Sequence, residues 1–145
     1  MNPKSDQMYN LVKSMQDRGI PIDGVGLQFH WSLSNAGMLD QVVQNMDRFD
    51  KLGLEVHITE LDIKCVPQNS GQACTPNLLN AQAALYAGIL QTCLNAPNCK
   101  SFETWGFTDK HTWIGADSAP LLFDVEYKPK PALDALVNTL LNHTI

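Results

Sequence analysis

Glu60 ends an apolar run, Gly53-Leu-Glu-Val-His-Ile-Thr-Glu60-Leu-Asp62-Ile63. Read as a strand, its alternation puts Val56, Ile58 and Glu60 on one face and Glu55, His57 and Thr59 on the other. A carboxylate at the C-terminal tip of a buried parallel strand is well placed to act on a bound ligand, and Asp62 shares the parity of Glu60. An earlier run, Gly24-Val-Gly-Leu-Gln-Phe-His30, alternates as well. Val25, Leu27 and Phe29 form a face suited to packing on helices; Gly26, Gln28 and His30 form one suited to a wet interior. A third run, Ser101-Phe-Glu-Thr-Trp-Gly-Phe107, delivers Trp105, and the loop after it delivers Trp113. Carboxylates, an amide, an imidazole and two indole faces at neighbouring strand ends match the needs of a pyranose. Its C–H faces stack on rings and its hydroxyls pair with polar groups. His30 beside Glu60 can hold a carboxylate nucleophile in its attacking rotamer, and Asp62 can fix the imidazole tautomer.

Helices must bring these strand ends together. Met8, Leu11, Val12 and Met15 recur at helical spacing and predict a helix over about 5–18, stopped at Gly19. Leu39, Val42, Val43, Met46 and Phe49 predict a second helix, ended at Gly53. Thr75-Pro76 supplies an N-cap with proline at the first helical position. The third helix carries Leu78, Leu85, Ile89, Leu90 and Cys93. The last carries Leu133, Leu136, Val137 and Leu140. The order α-β-α-β-α-β-α predicts an α/β fold with three parallel strands, four helices and helical crossovers in one domain over 1–145. A full (β/α)8 (TIM) barrel takes about 250 residues, so 145 residues predict an incomplete barrel, about half of one. Open sheet edges and an open apolar lumen are an association hazard, and a homo-oligomer that covers them is expected.

With 44% hydrophobic and 17% charged residues the chain is globular rather than disordered. A net charge of −5 without any basic cluster argues against nucleic acid and anionic membranes as partners. No apolar run approaches the roughly 20 residues of a membrane span, and Met1-Asn-Pro-Lys-Ser lacks the apolar stretch of a signal peptide. Cys65 and Cys74 flank one polar loop; Cys93 and Cys99 flank another. Four cysteines permit three pairings. The two local bridges are favoured because each closes a small irregular loop, which places the chain in an oxidising compartment. These cysteine spacings, and the scatter of His30, His57, His111 and His143, give no metal site, and no phosphate-cradling glycine loop or other cofactor signal is present. Asn142-His-Thr144 matches a glycosylation sequon by pattern alone.

The eleven residues ending at Ile63 resemble the active-site signature of the family 10 glycoside hydrolases, retaining endo-β-1,4-xylanases. The resemblance makes Glu60 the catalytic nucleophile, with His30 and Asp62 as its supporting partners. Gly26-Leu-Gln28-Phe-His30 is similar to that family's sixth strand, where the glutamine contacts sugar. Thr59-Glu60-Leu-Asp62 is similar to the seventh. Trp105-Gly-Phe-Thr-Asp-Lys110-His-Thr-Trp113 is similar to the eighth strand and its loop, with both tryptophans at the sugar. His111 departs from the tyrosine usual there, so no role is carried onto it. The paired Cys93 and Cys99 are also familiar in the family. The resemblance implies xylan or xylo-oligosaccharides as the partner and secretion as the location. It covers only the C-terminal half of the family's domain, from the helix after strand five onward. The family's acid/base glutamate follows an asparagine on strand four, and no Asn-Glu pair occurs here. Glu103 is the one in-chain substitute that could face the lumen, although a structural role suits it better; Glu126 reads as solvated. Weak xylan hydrolysis, or xylo-oligosaccharide binding or self-assembly without turnover, is the resulting expectation.

Overall fold

The computed structural model describes residues 3–143, so Met1, Asn2 and the sequon residue Thr144 lie outside the described residues. The α-helices are α1 (Pro3–Asp17), α2 (Leu39–Asp50), α3 (Pro76–Asn95) and α4 (Pro131–Asn142). The strands are β1 (Gly24–Leu27), β2 (His30–Ser32), β3 (Glu55–Lys64) and β4 (Cys99–Thr104). Short 3-10 turns occupy Leu33–Met38, Asp109–His111 and Ala116–Ser118. Thr75 caps α3 by accepting from the Leu78 amide, with Pro76 in the first turn. The strands pair in parallel, as helical crossovers require.

Four strands replace the three predicted, because the first predicted strand is two. Phe29 takes a left-handed φ of 56° and interrupts it. β1 pairs with β3 from Gly24↔Glu55 to Leu27↔Ile58, and β2 from His30↔Asp62 to Ser32↔Lys64. Three residues of chain reach roughly 10 Å at most. Crossing β3 would take two strand spacings, about 9.5 Å, plus a shift of about 13 Å along it. β1 and β2 are therefore consecutive pieces of one strand position, and β4 holds the other side of β3.

Between Leu27 and His30 the chain takes three steps while β3 takes four, from Ile58 to Asp62. The pairing with β4 shifts over the same stretch, between Ile58 and Leu61. β3 thus carries one extra residue near Thr59 and Glu60, a bulge that resets its alternation. Val56 and Ile58 are fully buried before it, Leu61 and Ile63 after it. Glu60 accordingly leaves the face of Val56 and Ile58 predicted for it, and joins Asp62 on the opposite one. Nor is Glu60 the strand's tip, since β3 runs on to Lys64. Beneath the bulge the Thr59 side chain lies over Gly26: a Cβ there would meet Thr59 Cγ2 at 3.2 Å.

The helix side of β3 is the core. Val56, Ile58, Leu61 and Ile63 share one cluster with Met46 and Phe49 of α2 and Tyr86 and Ile89 of α3, all at 0–1% exposure. The opposite face is not the apolar lumen predicted. It is polar, with exposed Glu55 and half-buried His57, whose ring stands 3.1 Å from Ser101 Oγ and 3.4 Å from Glu55 Oε2. Exposed apolar side chains lie instead on the outer helices, Met8 and Leu11 of α1 and Val137, Leu140 and Leu141 of α4. A cavity of about 520 Å³ separates α1 and α2 from the free edge of β1, lined by Met8, Val42, Phe49 and Phe29.

Candidate active site

The bulge aims Glu60 at two residues flanking the break in the neighbouring strand. Gln28 Nε2 reaches Glu60 Oε1 at 3.3 Å, and His30 Nε2 lies 3.1 Å from Glu60 Oε2. The other ring nitrogen, Nδ1, lies 3.0 Å from Asp62 Oδ2. One imidazole therefore bridges two carboxylates. Its two hydrogen bonds require two protons shared among three groups, which suits an ionised Glu60 held from both of its oxygens. Exposure divides the roles of the carboxylates. The Glu60 side chain is 22% exposed and open to a ligand, whereas Asp62 is 1% exposed and serves its neighbouring side chains.

Two indoles flank His30. Trp113 stands 5.1 Å from the imidazole centroid and Trp105 6.3 Å, both edge-on, and both are largely exposed. Trp105 follows the last residue of β4, and Gly106, at φ 98°, turns the chain out of the sheet. Trp113 donates its Nε1–H to Asp62 Oδ2 at 2.9 Å. The five residues Gln28, His30, Glu60, Asp62 and Trp113 thus form one hydrogen-bonded constellation, with Trp105 beside it. Glu103 is exposed on β4 and Glu126 exposed in the late loop. His111 bonds the Tyr127 hydroxyl instead, at 3.1 Å.

The segment that carries Trp113 is held by groups to which the sequence reading gave no role. Lys130 and Asp109 are buried at 6% and 3% exposure and pair at 2.9 Å. Asp109 Oδ1 also accepts from the Leu121 amide, and Lys130 Nζ donates to the Ala119 carbonyl. Burial raises the Asp109 carboxyl above the usual carboxylate range, a shift that Lys130 opposes; burial likewise lowers Lys130 against the pull of Asp109. Gln82 donates to the carbonyls of Ile63 and Ala119, and the Tyr86 hydroxyl to that of Pro120. Burial pushes the Tyr86 hydroxyl well above 10. Gln82 had a detectable signal, since it falls on the apolar stripe of Leu78, Leu85 and Ile89. Lys130, before a proline at a helix start, had none.

Disulfides join Cys65 to Cys74 and Cys93 to Cys99, the two local pairings. The first closes a loop whose Asn69 amide donates to Asp117 Oδ2, and Cys65 N bonds Ser118 O, so this loop braces the far end of the Trp113 segment. Among the described residues no cluster of His, Cys, Asp and Glu could hold a metal, and no helix is long and apolar enough to cross a membrane.

Parallel strands with helical crossovers, and a solvent-reached carboxylate between an imidazole and indole faces, define an α/β fold with a carboxylate site at its strand ends. Comparison with known proteins narrows this class. Residues 1–139 match the family Glycosyl hydrolase family 10, and the chain belongs to that family, whose fold is a (β/α)8 barrel. It is 40% identical over 137 residues to Endo-1,4-beta-xylanase B of Neocallimastix patriciarum, covering 94% of this chain and 15% of that protein. Among solved structures, xylanase 10B from Thermotoga petrophila RKU-1 in complex with xylobiose superposes with a TM-score of 0.88 at 37% identity, over 97% of this chain and 43% of that one. Xylanase10C from Cellvibrio japonicus in complex with xylopentaose gives a TM-score of 0.88 at 32% identity, over 99% and 32%. The chain spans less than half the length of each of these proteins.

Proposed function

We propose that this chain carries the nucleophile part of a retaining endo-β-1,4-xylanase site. The observation that supports it best is the carboxylate–imidazole–carboxylate bridge, with Glu60 Oε2 3.1 Å from His30 Nε2, set against two exposed indoles. In this reading xylose stacks on Trp105 and Trp113 and meets Gln28. A Glu60 oxygen attacks the anomeric carbon, the bond to the leaving oxygen breaks, and a glycosyl ester forms. His30 and Asp62 keep Glu60 in its attacking rotamer. The second carboxyl of a retaining site stands about 5–5.5 Å from the first. Asp62 does not suit that part, being buried and already accepting from two donors. Loss of general acid–base help, worth roughly 10²–10⁴-fold, leaves feeble xylan turnover for this chain alone. That commitment of Asp62 also favours a second reading, a xylo-oligosaccharide-binding protein without turnover.

Residues 1–145 in this reading are strands six to eight of the barrel with their helices and the helix after strand five. Coverage of 43% of the solved xylanase is in keeping with this. So is the cavity along β1, where a right-handed crossover through α1 would seat a preceding strand. The free edges and the exposed apolar residues of α1 and α4 favour self-association of the chain taken alone. A monomer by sedimentation with cooperative melting would refute that part. The two disulfides favour an oxidising, extracellular location.

The deciding experiment is intact-mass spectrometry after incubation with dinitrophenyl β-xylobioside, whose leaving group departs without protonation. A stable adduct on Glu60, absent in Glu60→Gln, supports the nucleophile assignment. Steady release without an adduct assigns the chemistry to another carboxylate. Neither adduct nor release, with xylo-oligosaccharide binding retained in calorimetry, supports the binding reading.

A further inference from the structure

We propose that Trp113 is a positioning residue for Glu60 in addition to being a surface for sugar; the inference rests on the reading of Glu60 as nucleophile. The indole has two ends in different surroundings. The residue is 61% exposed, whereas its Nε1–H is directed at Asp62, which is fully buried. Asp62 Oδ2 accepts from Trp113 at 2.9 Å and from His30 Nδ1 at 3.0 Å. Asp62 Oδ1 is buried and has no hydrogen-bond partner. The charge of Asp62 is therefore met by two donors converging on one oxygen.

His30 serves two carboxylates with one rigid ring, so any pull toward Asp62 comes at the expense of Glu60. With the indole in place, Asp62 is shared and the ring reaches Glu60 at 3.1 Å. Without it, His30 becomes the sole donor to a buried carboxylate and is drawn toward it. The indole reports the position of its own segment, which is tied down by Lys130–Asp109 on one side and by Asp117–Asn69 on the other. A xylose ring packed on the exposed face would hold the indole against Asp62. Sugar occupancy and the orientation of Glu60 are coupled through a single N–H.

The test compares Trp113→Phe and Trp113→Ala in the full chain, with two readouts. The first needs no substrate: proton exchange of the His30 ring N–H signals by NMR. Trp113→Phe should accelerate exchange of the Nε2–H, which faces Glu60, at least severalfold relative to the Nδ1–H, while the backbone amide spectrum stays native. The second is the rate of covalent loading by dinitrophenyl β-xylobioside. In Trp113→Phe the saturating rate should fall about 10- to 100-fold, the worth of one hydrogen bond to a charged group, with the half-saturating concentration within about twofold. Trp113→Ala should raise that concentration as well. If Phe disturbs the fold, β-benzothienylalanine at position 113 keeps the indole shape without the N–H and should behave as predicted for Phe. Native ring-proton exchange and loading in either N–H-free form overturns the proposal. A wild type that never loads refutes the nucleophile reading instead, and the exchange measurement still decides the coupling.

Discussion

The helix side of β3 and the 105–130 segment are both buried where they meet, yet they are ordered by different means. Val56, Ile58, Leu61 and Ile63 are fixed by apolar contact with two helices, and no single atom pair matters much. The segment carrying Trp113 is fixed by a few polar groups whose partners are specific: Lys130 on Asp109, Gln82 on two carbonyls, Tyr86 on a third. Apolar packing degrades in proportion to what is removed. A buried polar network fails at once when one member goes, because the remaining partner keeps its desolvation cost. The site sits on the joint between the two regions, with Glu60 and Asp62 on the other face of the strand that carries the first and Trp113 from the second.

The largest effect that would break this contrast is expected at Lys130. Lys130→Met leaves Asp109 buried without its partner and should cost about 3–5 kcal/mol. The double variant Lys130→Met with Asp109→Leu should recover most of it; denaturant unfolding of the four species of the cycle tests this. If the double variant is no better than the single, the pair contributes more than its burial costs. Phe49→Ala should also cost about 3–5 kcal/mol, but as a cooperative loss seen equally by far-UV circular dichroism and tryptophan fluorescence. A fluorescence change that precedes the dichroism would show that the core also orders the loop. Gln82→Leu abandons the carbonyls of Ile63 and Ala119 and should cost about 1–3 kcal/mol, loosening the Trp113 segment first, as amide exchange at Ala119–Leu121 would reveal. The smallest effect is a pH dependence. Because the folded-state value of Asp109 is raised, its contribution to stability is full below the ordinary carboxylate value of about 3.9 and is lost as pH rises through its own higher value. The melting temperature of the wild type relative to Asp109→Asn should therefore fall as pH rises above the ordinary carboxylate value.

Much of the α/β order was legible because helical spacing and the Thr75-Pro76 cap act locally. Strand existence was legible too; strand integrity was not. Gly24 to His30 reads as one alternating run, and nothing in the identity of Phe29 announces a left-handed φ of 56°. The bulge was hidden for the same reason, since Thr59-Glu60 alternates plausibly either way and only pairing with two neighbours shows the extra residue. The expectation of an apolar lumen failed because burial of Val56 and Ile58 was assigned to the wrong side of the sheet. Gln28, His30, Glu60 and Asp62 were singled out by type and proximity to strand ends, and the structure brings them within hydrogen-bond distance. The Trp113 bond to Asp62 spans 51 residues and leaves no periodic trace.

The extra residue in β3 has a genetic consequence. Deletion inside a regular strand flips every side chain after it, but deletion of Thr59 would take out the residue that breaks the alternation of β3. Leu61 and Ile63 would keep the helix side and Glu60 and Asp62 the other, so the fold would survive while the aim of the Glu60 carboxylate changed. In a library of single-residue deletions along β3, loss of position 59 should be the one best tolerated for folding, while covalent loading of Glu60 is lost.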